Sequence, residues 1–135
     1  MVIKYAGVYL STLVAFLIID GVWLGFVARG FYVQQLGHLL RPSPSFGAAG
    51  LFYAIYVVGI LVFAVTPAVQ NGTWVTAALY GALFGFIAYA TYDLTNLATL
   101  SGWPVVMSVV DMIWGAILTA SVATIGYLAA RMIFS

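Results

Sequence analysis

The sequence predicts an all-α integral membrane protein: a bundle of four transmembrane helices with a short interfacial amphipathic helix between the first and the second. Three observations predict it. Of 135 residues, 65% are hydrophobic and 5% charged, with a mean hydropathy of +1.16, where a soluble domain carries about a quarter of its residues as charges. Four stretches are apolar over the length a helix needs to cross the hydrocarbon core, about 20 residues. The chain's acidic residues, Asp20, Asp93 and Asp111, all fall inside those stretches rather than between them.

The first stretch covers 5–28. A lysine ahead of an apolar run can open a cleavable signal peptide, but this run is too long and contains Asp20, so it reads as a retained helix. The second, 47–69, is wholly uncharged and bounded by turn chemistry, Arg41 to Ser45 before it and Gln70 to Thr73 after it. Pro67 lies near its end, where a proline costs little. The third covers 74–98 and the fourth 104–131, with Ser101 as cap and Pro104 in the first turn. In the connection, Phe31, Tyr32, Leu36, Leu39 and Leu40 recur at near-helical spacing, predicting an amphipathic helix over 31–40 lying in the interface, beside Arg29, His38 and Arg41. The whole, 1–135, forms a single transmembrane domain. Gly21 with Gly25, and Gly81 with Gly85, have the spacing that lets membrane helices approach closely, within the bundle or in a homodimer.

Composition also excludes. Without cysteine there is no disulfide, thiolate metal site or cysteine nucleophile. A net charge of +1 leaves no electrostatic footprint for nucleic acid.

Short connections make successive helices cross in alternate directions, which fixes depth. Let side A hold both termini and side B the opposite ends. Asp20 lies in the last third of helix one, Asp93 about a turn from the end of helix three, and Asp111 two turns into helix four. All three therefore fall in the side-B half, as does the connection bearing Arg29, His38 and Arg41. A charge in hydrocarbon costs on the order of 2.5 to 3.5 kcal/mol on insertion scales, so these carboxyls should face a polar cavity or a partner.

Helical neighbours extend each acid into a stripe. On helix one it reads Thr12, Phe16, Asp20 and Trp23; on helix three, Gly81, Gly85, Tyr89, Asp93 and Asn96; on helix four, Ser108, Asp111, Trp114 or Gly115, and Thr119. Asp-x-x-Trp occurs at Asp20 with Trp23 and again at Asp111 with Trp114. These residues form the candidate site. Asp93, Asp111 and Asp20 are candidate general acids, bases or proton sites, and Asn96, Arg29, Arg41, His38, Tyr89, Trp23 and Trp114 candidate binding residues. Carboxylates with Asn96 or His38 would suit Mg²⁺ or Mn²⁺, but the spacing matches no metal motif. The plainer alternatives are aspartates that lock helices together by hydrogen bonds, a surface His38, and Trp74 and Trp103 as interfacial anchors.

The segments around Asp20 (Ile18 to Gly25), around His38 (Gln35 to Leu40), and above all from Ala88 to Pro104 with Val109 to Gly115, resemble a bacterial membrane family, domain of unknown function 2177. The resemblance extends over nearly the whole chain. It implies a small bacterial inner-membrane protein, associates it with lipid- or fatty-acid-modifying enzymes, and carries over no catalytic residue.

Three functions compete on these residues. The preferred one is a one-sided polar cavity that binds or processes a membrane lipid or other amphiphile, with Arg29 and Arg41 on an anionic headgroup. The second is a homodimeric proton-coupled transporter of small molecules, against which stands the crowding of the acids into one half. The third is a structural subunit whose polar face is filled by a partner in a membrane complex. Lys4 and Arg131 on side A tie with Arg29 and Arg41 on side B under the positive-inside rule; pairing of the loop arginines with aspartates would place the termini inside.

Overall fold

The computed structural model describes residues 2–135; Met1, the first residue of the predicted domain, lies outside them. Four helices are long and apolar enough to cross a membrane: α1 (Val2–Val27), α3 (Phe46–Gln70), α4 (Trp74–Thr99) and α5 (Val105–Phe134). The short α2 (Arg29–Leu36) joins the first two, and no strand occurs among the described residues. The fold class is the one the hydropathy predicts.

The helix ends follow their local chemistry. Ser45 caps α3, accepting from the Ala48 N–H at 3.4 Å, and Gly72, in left-handed backbone at φ 79°, closes it. Thr73 then caps α4 by accepting from the Thr76 N–H at 3.2 Å. The start of α5 differs from expectation. Pro104 holds extended backbone at the cap position itself, so the helix begins one residue later, and Ser101 lies too far upstream to cap it. Gly102, at φ 77°, makes the reversal between α4 and α5.

Two wide turns with bonds to the fifth residue back interrupt the α-helices, at Trp23–Val27 and Leu61–Val65. The second precedes Pro67, whose ring in a regular helix would strike the carbonyl four residues earlier. Widening the preceding turn absorbs that clash.

Helix packing is governed by small residues. Contact is most extensive between α4 and α5, and next between α1 and α5. A Cβ at Gly81 would stand 2.7 Å from the Thr119 carbonyl, and one at Gly85 would collide with the Gly115 carbonyl, so these two glycines set the α4–α5 approach. Gly21 and Gly25 face open space and take no part in the bundle. The fully buried centre holds Phe16, Val57, Ile60, Leu118, Val122 and Tyr127, while outward residues such as Ile55 and Ile117 stay exposed, as lipid-facing surface should.

The helix α3 is unevenly supported. Its side-B half packs on α1, and only the Leu61–Val65 turn and the last residues of the helix pack on α4. Toward side B the two helices meet at Tyr56, whose ring stacks on Phe84 at 5.2 Å and lies edge-on to Tyr89. Beyond it the two helices leave a gap.

The connection folds back over the bundle. The helix ends at Leu36 rather than at residue 40 and continues as a turn. Leu36 is buried against Trp103 and Met107, flanked by Phe31, Tyr32 and Leu97. Trp103, expected as an interfacial anchor, is instead 9% exposed beneath α2, because the Gly102 reversal directs it inward; Trp74 is 58% exposed, as an anchor would be.

Candidate functional site

The stripes read along each helix are its buried face. Thr12, Phe16 and Asp20 on α1, Gly81, Gly85 and Asp93 on α4, and Ser108, Asp111, Gly115 and Thr119 on α5 are all buried. The three aspartates are 5%, 0% and 9% exposed for Asp20, Asp93 and Asp111. All sit in the side-B half.

Their partners are neutral donors. Asp20 accepts from Trp114 Nε1 at 3.2 Å and from the Tyr53 hydroxyl at 3.3 Å. Asp111 accepts from the Tyr32 hydroxyl at 2.7 Å, and that hydroxyl in turn accepts from Trp23 Nε1 at 3.1 Å. The Trp23 and Trp114 rings stack with centroids 4.2 Å apart and planes 8° apart. Burial first, and then the hydrogen bond to Asp111, push the Tyr32 phenol well above its ordinary value, so it stays a donor. Asp93 has no N–H or O–H on either oxygen among the described residues. Its polar neighbour is the carboxyl of Asp111. Two adjacent buried carboxyls without a cation between them are a costly arrangement in a membrane interior.

A cavity of about 420 Å³ opens against this network. All four long helices contribute: Asp20 and Leu24 from α1, Ala49, Phe52 and Tyr53 from α3, Ala88, Tyr89 and Tyr92 from α4, Asp111 and Trp114 from α5. It occupies the gap above the Tyr56–Phe84 stack. Tyr56 also bonds Thr119 at 2.7 Å, tying α3 to α5. Phe52 and Tyr92, on opposite lips, are 47% and 56% exposed, so the mouth opens sideways between α3 and α4.

Not every candidate converges here. Tyr89 and Trp114 line the cavity, and Trp23 supports it through the indole stack. Asp93 is behind it, reached through Asp111. Asn96 is half-buried near the end of α4, outside the lining. Arg29, His38 and Arg41 are exposed, His38 beside Gly102, and the group that α2 sends to the acids is Tyr32. The expected roof of arginines is thus a tyrosine latch. Position on the helix explains it: Arg29 is exposed at the start of α2, whereas Tyr32 lies on the face that packs with Leu36. Among the described residues, no three acidic or histidine side chains converge as metal ligands would.

Sequence reasoning missed Tyr53, Phe52 and Tyr92, and treated Tyr32 only as an apolar contact. The available signal was Tyr53 and Tyr56 one turn apart in an otherwise apolar stretch of α3, where a membrane hydroxyl needs a partner.

No curated protein and no solved structure matches the chain. The family model described as "Predicted membrane protein (DUF2177)" matches residues 5–128. With that match spanning nearly all of a chain whose four apolar helices bury their only acids, the protein belongs to the DUF2177 family of membrane proteins.

Proposed function

We propose that the side-B cavity is a binding pocket for a membrane amphiphile that enters sideways from one leaflet. The observation that carries this reading is the cavity's form: about 420 Å³, walled by aromatic rings, with carboxyls at the back and a mouth between α3 and α4. The volume lies in the range of small-molecule sites, which are mostly apolar with a few fixed polar groups. An acyl chain suits the lateral mouth, and a polar head suits Asp20 and Asp111. The packed middle of the bundle, where Phe16, Val57, Ile60, Leu118 and Val122 are buried, favours a pocket over a transmembrane passage.

Native mass spectrometry of protein released from membranes tests it. The wild type should carry a lipid-mass adduct. Ala88→Trp, which places a ring in the cavity from a lining position, should lose the adduct while keeping its thermal midpoint. Equal adducts in both proteins would sink the reading.

A further inference from the structure

Hydrogen bonding and charge at the back of the cavity are unbalanced in one direction. Asp20 and Asp111 line it, Asp93 lies behind Asp111, and every partner these carboxyls have among the described residues is neutral: Trp114 and Tyr53 on Asp20, Tyr32 on Asp111, and no donor on Asp93. The cations nearest in sequence, Arg29 and Arg41, remain exposed on the outside of the connection. Acceptors therefore exceed donors, and negative charge has no counter-ion, in a medium where both are costly. The remaining walls in front of the acids are the rings of Tyr53, Tyr89, Tyr92 and Trp114. Ring faces carry negative quadrupole density and attract ammonium groups, best when desolvated. An anionic head would face Asp20 and Asp111 directly, and a purely neutral head would leave the charge uncompensated.

Resting on the pocket reading above, we infer that the occupant is an amphiphile with a cationic amine or quaternary ammonium head, seated against Asp20 and Asp111 and boxed by the tyrosines and Trp114. The chain runs out between α3 and α4. Asp93, behind Asp111, adds a third carboxyl to the side the head would face.

The test uses the full chain in nonionic micelles and three brominated dodecyl probes that differ only in the head: trimethylammonium, glucoside and sulfate. Bromine quenches indole fluorescence at short range, and Trp114 lines the cavity. The trimethylammonium probe should quench saturably with a midpoint about tenfold below that of the sulfate probe, the scale expected for a desolvated cation against carboxylate and aromatic groups. In Asp20→Asn with Asp111→Asn that ratio should collapse toward one, with saturable quenching by the glucoside probe retained as the check that the pocket is intact. If all heads quench wild-type protein equally, or sulfate binds best, the cationic assignment is overturned and the pocket stands. If no probe quenches saturably, the pocket reading falls with it. The wild-type ranking decides the matter even where the double variant does not fold.

Discussion

Trp114 on α5 donates to Asp20 on α1, while Trp23 on α1 acts through Tyr32 on Asp111 of α5. Each Asp-x-x-Trp segment thus serves the other's acid, and the two indoles stack where the arms cross. Within a single helix the carboxyl and the indole three residues later are neighbours, yet neither bonds its own. Instead the Trp114 N–H reaches across to α1, and the Trp23 N–H goes to Tyr32 on α2. Trp114→Phe keeps most of the stacking surface and removes the donor, so it should destabilise the protein by about 1 kcal/mol, the scale of a hydrogen bond between membrane helices. Thermal unfolding in a fixed detergent measures this, and a shift indistinguishable from zero would mean the bond contributes nothing.

Tyr32→Phe should free α2. The variant loses the bond to Asp111 and the acceptor for Trp23 together. Amide exchange over residues 29–36 should accelerate while the core of α5 is unchanged.

Alkali should act on the same latch. The phenol is held above its ordinary 10.0 in the folded protein by burial and then by Asp111. A group whose folded value is raised stabilises the fold below its unfolded value and loses that contribution as pH climbs beyond it. Stability should therefore fall from about pH 10 upward, and less steeply in Tyr32→Phe than in the wild type. Denaturant midpoints at a series of alkaline pH values give the comparison; parallel curves would rule the latch out as the source.

Asp93→Asn should raise stability. The carboxyl has no donor and abuts Asp111, and an isosteric amide supplies N–H groups to that neighbour. A gain of about 1 kcal/mol is expected for one new buried hydrogen bond, read as an upward shift in the thermal midpoint. A loss would show that the acid at this position serves the pair better than an amide does.

The two glycine pairs should behave oppositely. Gly85→Ala forces a methyl into the Gly115 carbonyl and should cost about 1 to 3 kcal/mol, as overpacking does. Gly21→Ala meets nothing within 4 Å and should be neutral, or slightly stabilising through helix propensity. Thermal midpoints of the two variants in one detergent give the comparison, and equal shifts would refute the contrast.

The contrast between those pairs marks the limit of legibility in the sequence. Spacing identified both as small-residue stripes, and which pair packs depends on the rotation of α1 against α5, which a local pattern does not encode. Depth was legible because short connections force antiparallel crossings, and the buried faces because acids and small residues shared them at helical spacing. The arginine roof was not, since charge alone cannot say which way a loop residue points. Tyr32 and Tyr53 escaped notice because a tyrosine in an apolar run reads as one more hydrophobic residue until its hydroxyl is matched with an acceptor.

The helix α3 is held on its side-B half by α1 and parts from α4 above the Tyr56–Phe84 stack. On the proposed pocket reading, the acyl chains of the surrounding leaflet would then complete the wall that α3 and α4 leave open. Bilayer composition would in that case be a structural variable of the site in the way a subunit is. Extraction into micelles replaces that wall with a softer one, and a protein with every side chain intact would then present a different room.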